Sequence, residues 1–383
     1  QSVLLSAFLQ NVCQDGWFDA LLAVRQSGFR SASCSSFEQL NPNVKEKRFD
    51  EIAGRFPGLR VALVGDFCLD RYLEIDPALA ETSIETSLEV FNVARVRSQP
   101  GGCGTILNNL SSLGVGTVYP VGFAGEDGEG YELMRALGQV ECVDMGHFFQ
   151  TPDRRTFSYT KPLVIEPGRS PRELNRLDFK NWSPTPAVVQ QRVIESLNAL
   201  AKRVDAMVLL EQVDVADTGA ITGEVADALS QIRRQSPDLL MLADSRRGPK
   251  HFPAVGLKMN RDEFAVLTGQ ARELQVPDLC SAVGSLAAER GQAVFVSLSE
   301  DGIAGAKPGE QPEHVPCLPA RGEIDVVGAG DAVMANLATA IAAGAETSEA
   351  MRLAMAAASV VVHQLGTTGT ASLQDIRSLV CAH

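Results

Sequence analysis

Paired cysteines, long apolar runs and a surplus of positive charge are all missing from this chain, and each absence removes a class of function. The eight cysteines, Cys13, Cys34, Cys68, Cys103, Cys142, Cys280, Cys317 and Cys381, are scattered with no C-x-x-C among them. Neither a disulfide framework nor a cysteine-ligated zinc site has the spacing it needs, so reduced thiols in a cytoplasm are expected. Apolar runs are broken by glycine or charge before they reach the roughly 20 residues that cross a bilayer. The start at Gln1 has no basic leader, and the expected location is cytoplasmic. A net charge of −13 and a pI near 5.0 argue against a nucleic-acid or membrane-surface binder, which needs a basic face. What remains is a chain of 383 residues, 45% hydrophobic and 21% charged, long enough for one large core and an accessory element.

Apolar β-rich runs alternate with helical stretches along most of it, the pattern of a parallel sheet covered on both faces. The pattern predicts strands at 60–65, 117–123, 204–211, 238–243 and 292–298. It predicts helices at 102–113, 126–138, 186–202, 218–235, 277–290, 331–343 and 348–364. Ser87 to Ser98 and Arg155 to Ile165 break the alternation with mixed β-branched, aromatic and polar residues, as in an exposed sheet over the open edge of the main body. Residues 1–58 read as a helical extension, with helical spacing over Leu4 to Val24, a Ser-rich break over Ser31 to Ser36, and a second helix within Lys45 to Phe56.

The most telling segment is Glu323-Ile324-Asp325-Val326-Val327-Gly328-Ala329-Gly330-Asp331, running into an alanine-rich helix that stops at Gly344. Gly328 and Gly330 can take backbone angles that other residues avoid, so a glycine turn opens a helix. Unpaired N–H groups and the positive end of the helix dipole there suit an anion such as a phosphate in transfer. Asp331 in the first turn could take a proton from an attacking hydroxyl, or could only stabilise its own helix. The residues alone leave both readings open.

Gly328-Ala329-Gly330-Asp331 resembles the C-terminal signature of the ribokinase (PfkB) family of sugar kinases. Four more elements, in order, are similar to that family: Arg60 to Asp70, Pro100-Gly101-Gly102 before a helix, Lys258 to Glu263 with its Asn-x-x-Glu pattern, and Val294 to Gly302. The resemblance covers Leu59 to the C-terminus. Gly65-Asp66-x-x-Leu69-Asp70-Arg71-Tyr72, Leu174-x-Arg176-Leu177-Asp178-Phe179, Ser299-Glu300-x-Gly302 and Leu365-Gly366-Thr367 look most like the branch that phosphorylates heptose 7-phosphate. A nucleotidyltransferase domain is often fused to that kinase, and the expectation here is the kinase half alone.

The resemblance implies an α/β ribokinase-like fold over 59–383, with a small β lid within 72–98 and 151–178. It implies a homodimer through that lid, and ATP with Mg2+ as cofactors. Asp331 would be the base, with Gly328, Ala329 and Gly330 as the anion hole. Asp66, Asp70, Gly101, Gly102, Thr105 and Asn109 would meet the sugar. Asn260, Ser297, Ser299 and Gly302 would meet the nucleotide, and Glu263 would organise the metal through water. Some members also bind a monovalent cation, near the positions where Val326 and Val327 stand in place of the usual Thr. Thr105 stands where Asn is usual after the glycine pair, and Glu211 to Asp217 lacks a Tyr-x-Lys-Gly-like pattern.

Arg154, Arg155, Lys161, Arg169, Arg172 and Arg176, with only Glu166 and Glu173 among them, form a basic stretch suited to a phosphate already on the sugar, and Arg246, Arg247 and Lys250 form a second. The expected acceptor is heptose 7-phosphate or a similar sugar phosphate. A kinase for a free sugar or nucleoside, or a non-catalytic sugar or nucleotide binder, remains the alternative.

Overall fold

The computed structural model describes residues 44–381. Its main sheet has nine strands in the order β16-β15-β14-β13-β12-β11-β1-β6-β7. The centre is built from β1 (Arg60–Gly65), flanked in parallel by β6 (Thr117–Gly125) and by β11 (Ala206–Glu211). All of β11 and all of β1 except Arg60 are buried. Such runs are apolar without alternation because both faces are covered. Val61 and Leu63 enter one core while Ala62 and Val64 enter the other.

The first core is closed by α1 (Glu46–Ala53), α2 (Cys103–Ser112), α3 (Gly128–Gly138), α8 (Ala329–Ala342), α9 (Thr347–Val361) and α10 (Leu373–Val380). The second is closed by α4 (Ala187–Leu200), α5 (Gly223–Gln235), α6 (Arg261–Thr268) and α7 (Val276–Arg290). Helix α8 is buried along most of its length. Its alanines let it pack close to its neighbours, as small residues do.

Beyond β11 the sheet continues through β12 (Leu240–Ser245), β13 (Gly256–Asn260) and β14 (Val294–Ser297), all parallel. It ends in an antiparallel edge, β15 (Ile303–Ala306) and β16 (Glu313–Val315); β7 (Phe148–Thr151) closes the other side. The five strands expected from the sequence are all present within two residues at each end, and the seven helices are present with their starts shifted by up to five. Strands β7, β13, β15 and β16 were not expected, nor were α6 and α10. Each is eight residues or shorter, too brief for a period to declare itself.

A second sheet has the order β10-β8-β2-β5, with β9 on β8. It comprises β2 (Phe67–Ile75), β5 (Val93–Gly102), β8 (Phe157–Val164), β9 (Arg172–Glu173) and β10 (Leu177–Phe179), and a small hairpin, β3 (Glu81–Thr82) with β4 (Glu89–Val90), precedes β5. This is the expected lid, and it starts earlier than 72, because β2 follows β1 after the single residue Asp66. The two halves of the expected lid meet side by side, since β2 pairs with both β5 and β8.

The N-terminal side differs from expectation as well. Phe49, Ile52 and Phe56 are buried in the first core, and Arg48 and Arg55 donate to the carbonyls of Gly344 and Ala343 at the end of α8. Residues 44–58 therefore pack as part of the main body, whose compact unit starts at Val44. The helix expected over Leu4 to Val24 lies outside the described residues.

Candidate active site

The chain leaves β1 through the lid to β6 on one side and later places β11 on the other, so the strand order reverses at β1. Ligands of open α/β sheets gather outside the carboxyl ends of the strands at such a switch. Gly65 and Asp66, Glu211, Asp244 and Ser245, Asn260 and Ser297 all stand at those ends, and the N-terminus of α8 joins them.

Gly328 caps α8 at φ 84°, a left-handed angle that suits glycine and few other residues. The Ala329 amide donates to Val326 O at 3.2 Å, and no side chain caps the start of α8; helix N-termini of this kind suit anions. Asp331 is half-buried in that first turn. Burial pushes its carboxyl up to about 7; Lys258 and Arg246 pull it down, while Asp244 and Asp70 push it further up.

Below the turn lies a residue that sequence reasoning missed. Lys258 is buried in β13, its Nζ 2.6 Å from Asp244 Oδ2. The same Nζ is 3.1 Å from where a Cβ on Gly330 would stand, so the smallness of Gly330 admits the ammonium to the floor of the anion turn. Burial lowers the Lys258 ammonium, but the charge and hydrogen bond of Asp244, with the charges of Glu263 and Asp331, leave it above its ordinary range, so the charge is retained.

Asn260 and Glu263 form a reciprocal capping box on α6. Glu263 N–H donates to Asn260 Oδ1 and Asn260 N–H to Glu263 Oε2, each at 2.8 Å. The cap fixes Glu263 beside Lys258 and Asp244, and burial together with the Asp244 charge raises its carboxyl to about 7. Among the described residues no group of three or more His, Cys, Asp or Glu side chains stands ready to hold a metal. A magnesium ion fits such a site only as it fits most nucleotide sites, through one or two carboxylates, water and phosphate oxygens.

Ser297 donates its hydroxyl to Met259 O at 3.2 Å, tying β14 to β13. Ser299 and Gly302 both have positive φ, 54° and 96°, and bracket the tight turn between β14 and β15. The four residues expected at the nucleotide thus line adjacent strand ends.

On the lid the two candidate carboxylates part company. Asp66 accepts from the amides of Ala220 at 2.7 Å, Gln212 at 2.8 Å and Val213 at 3.3 Å. These bonds anchor the loop after β11, so most of its acceptor capacity is engaged within the protein. Burial raises it to about 6, against the three amides that lower it. Asp70 is also buried, yet among the described residues no donor reaches its carboxylate. Burial raises its pKa, opposed by Lys161 and Arg176. Gly101 faces it so closely that a Cβ there would lie 2.7 Å from Asp70 Oδ2. Gly102, at φ 58°, turns the chain into α2.

Thr105 and Asn109 are buried inside α2. The Asn109 amide nitrogen donates to Thr105 O at 3.0 Å and Gly369 O at 3.4 Å, tying the helix to the C-terminal loop, while its Oδ1 is buried with no hydrogen-bond partner among the described residues. A residue not expected joins lid to turn. Gln99, directly opposite Asp70 in the β2–β5 register, donates to Thr368 Oγ1 at 2.5 Å, and Thr368 packs 3.4 Å from the Cβ position of Gly328.

The basic stretch disperses. Arg154 is buried and donates to the carbonyls of Ser183, Pro184 and Thr218. Arg169 pairs with Glu166, and Arg247 pairs with the buried Glu211, which also accepts from Ser245.

A pfkB family carbohydrate kinase profile matches residues 185–374. The chain carries a PfkB-family carbohydrate kinase domain. It is 30% identical over 339 residues to the bifunctional protein HldE of Pelobacter propionicus, covering 88% of this chain and 66% of that protein. The HldE of Bradyrhizobium sp. is 28% identical over 332 residues, 87% of this chain and 66% of that protein. The chain thus spans about 66% of the length of these relatives. Among solved structures, Arabidopsis thaliana ribokinase complexed with ribose and ATP superposes with a TM-score of 0.60 at 22% identity, covering 84% of this chain and 98% of that one. Phosphofructokinase-2 from Escherichia coli, in complex with substrates and products, superposes at 0.63 and 17% identity, covering 84% and 98%. These structures share the ribokinase fold with the PfkB domain described here.

Proposed function

We propose that the chain is an ATP-dependent, magnesium-requiring sugar kinase whose acceptor is heptose 7-phosphate or a similar sugar phosphate. The observation that carries this reading is the convergence of Asp331, a helix N-terminus without a side-chain cap and the buried Lys258 ammonium, with the buried Asp70 carboxylate near enough for its charge to act on Asp331. Phosphoryl transfer asks the protein for positioning and for stabilisation of moving charge, with little covalent work.

Asp70 accepts hydrogen bonds from acceptor hydroxyls and orients the ring against Gly101. Asp331 takes the proton of the attacking hydroxyl as its oxygen bonds to the γ-phosphorus, and the bond to the bridging oxygen breaks to release ADP. A carboxyl near 7 exchanges protons readily at neutral pH, which suits that task. The amides of Gly328 and Gly330 and the Lys258 ammonium would face the charge that moves to the leaving side, while the Ala329 amide is engaged by Val326 O. Magnesium would neutralise the phosphate oxygens, with Glu263 and Asp244 its nearest carboxylates. Asn260, Ser297, Ser299 and Gly302 border the nucleotide. Support for heptose phosphate comes from the HldE relatives and the Leu69-Asp70-Arg71-Tyr72 segment; a free sugar or nucleoside is the second reading.

The protein would act as a homodimer through its lid and in the cytoplasm; no described helix is long and apolar enough to cross a membrane. The test is ATP consumption with Mg2+ across free sugars, sugar phosphates and nucleosides, beside Asp331→Asn. Turnover on one acceptor, lowered by at least about 100-fold in the variant as removal of a positioned base does, is the expected result. Equal turnover in the variant would remove Asp331 from the chemistry.

A further inference from the structure

The loop between α9 and α10, residues 364–371, lies between the lid and the start of α8 and is held in two halves. Gln364 pairs its side-chain amide with both polar atoms of the Thr370 backbone, Nε2 donating to Thr370 O at 2.8 Å and Thr370 N–H to Oε1 at 3.0 Å. Ser112 Oγ donates to Ala371 O at 3.1 Å, and Asn109 Nδ2 reaches Gly369 O at 3.4 Å. The second half of the loop is therefore fixed to itself and to α2. The first half, Gly366 to Thr368, turns through Gly366 at φ 72° and has other partners. Gly366 N–H donates to Asp325 Oδ2 at 3.2 Å, while Asp325 Oδ1 accepts from Val327 N–H at 3.0 Å. Asp325 thus joins this tip to the segment that becomes the glycine turn.

The lid holds the tip from another side. Gln99 Nε2 donates to Thr368 Oγ1 at 2.5 Å, and Thr367 Oγ1 donates to Gln99 Oε1 at 3.3 Å. A primary amide offers a donor and an acceptor at one end, and here both meet successive hydroxyls. Thr368 in turn lies 3.4 Å from the Cβ position of Gly328, the residue whose left-handed angle opens α8. Gln99 also stands directly opposite Asp70 in the β2–β5 register, and directly paired residues project from one face of a sheet. Gln99, Thr367 and Thr368 are all half-buried, so core packing does not account for the contact.

Resting on the sugar-kinase reading above, we propose that Gln99 is a positioning residue that couples the lid to the glycine turn. An acceptor bound at Asp70 fixes β2 and β5, and Gln99 then holds Thr368 against Gly328 and sets the turn for the phosphate in transfer. When the lid strands shift, the tip is left to Asp325 alone. Coupling between two sites needs an element that both can bias. Residues 366–368, anchored behind at α2 and ahead at Gln99, are that element.

The experiment is a calorimetric titration of MgADP, with and without saturating heptose 7-phosphate, on the wild type, Gln99→Leu, Thr368→Val and the double variant. Both replacements roughly keep side-chain volume and remove the hydrogen bond. In the wild type the sugar phosphate should tighten MgADP by about 5-fold or more, the usual scale for coupled sites. Each variant should bind MgADP alone within about twofold of the wild type, yet keep less than about twofold tightening. The double variant should lose no more than either single one, because each removes the same contact. A merely structural role would weaken MgADP equally in both conditions and leave the tightening intact, and that result would overturn the proposal. No tightening in the wild type, or additive losses in the double variant, would overturn it too.

A second readout needs no acceptor. Hydrogen exchange at residues 325–331 of the free protein should quicken by about 3- to 10-fold in Gln99→Leu, the scale of one net hydrogen bond, while β1 and β11 stay unchanged. If heptose 7-phosphate does not bind the wild type, the acceptor reading falls, and exchange still decides the tie between lid and turn. Faster exchange at 325–331 would uphold that tie; unchanged exchange would overturn it.

Discussion

Lys258 and Gly330 share one space: the Lys258 ammonium lies 3.1 Å from where a side chain at Gly330 would begin. Gly330 is therefore small for the sake of a charge as well as a turn. A methyl there must push the ammonium aside, and the end of a lysine can move. Gly330→Ala should fold with an unchanged thermal midpoint yet lose about 10- to 100-fold in kcat, the scale of a misplaced electrostatic partner. Lys258→Met should lose at least as much in kcat. Full activity in Gly330→Ala would show that the ammonium is not needed where it stands.

The second prediction concerns pH. Asp331 and Glu263 are both raised to about 7 and Asp66 to about 6, in each case chiefly by burial. A carboxyl whose folded pKa exceeds its unfolded value contributes stability that is present below the unfolded value, near 4, and lost as pH rises through the folded one. The free protein's thermal midpoint should therefore fall between about pH 4 and 7, and Asp331→Asn should flatten part of that slope while abolishing turnover. The rate should rise over the same range as Asp331 ionises. A midpoint that climbs from pH 5 to 8, in both proteins alike, would contradict these shifts.

Legibility in the sequence followed length and burial. The five expected strands were readable because Val61 to Val64 or Ala206 to Leu210 are apolar without interruption, as strands covered on both faces must be. Strand β13 was hidden because its buried core includes Lys258, and a lysine next to Asn260, Arg261 and Asp262 reads as surface. The signal was its position between Leu257 and Met259, in a strand too short to show alternation. The turn that opens α8 was legible because glycines before an alanine-rich run mark a helix start, and Gly328 takes the left-handed angle such a turn needs. Gln99 with Thr368 was not, since the pair lies 269 residues apart and neither residue has chemistry that announces a contact. Both Asp66 and Asp70 read as sugar contacts in the sequence, Asp70 the closer match to the family pattern; only the loop returning from β11 shows that Asp66 already accepts from three amides.

That difference yields the third prediction. Asp66→Ala leaves three amides without their acceptor, those of Val213 and Ala220, which are buried, and that of Gln212, which is partly buried. Each buried unsatisfied group costs about 1–3 kcal/mol, so a drop of many degrees in the thermal midpoint is expected, with poor soluble yield. Asp70→Ala removes a carboxylate no protein donor uses. Its midpoint should hold or rise, while KM for the acceptor climbs by about 10-fold or more and KM for ATP stays put. A stable Asp66→Ala protein, or an Asp70→Ala protein with normal acceptor KM, would reverse the two assignments.

The last prediction concerns the lid's other face. Residues that alternate with the paired Gln99, Asp70, Tyr159 and Asp178 project from the lid's other face, and there Val96, Leu177 and Phe179 stand 48%, 55% and 43% exposed. The hairpin beside them adds Ile84, Leu88 and Phe91, also exposed. An exposed apolar face of this kind is usually covered, and a two-fold contact between identical lids covers it with the same surface from each copy. Sedimentation velocity should give a dimer for the wild type and a monomer for Phe179→Asp combined with Val96→Asp. The thermal midpoint of the isolated chain should be unaffected because neither side chain contributes to the core, and acceptor KM should rise as the lid loses its support. A wild type that sediments as a monomer at every concentration tested would leave the lid face without this partner.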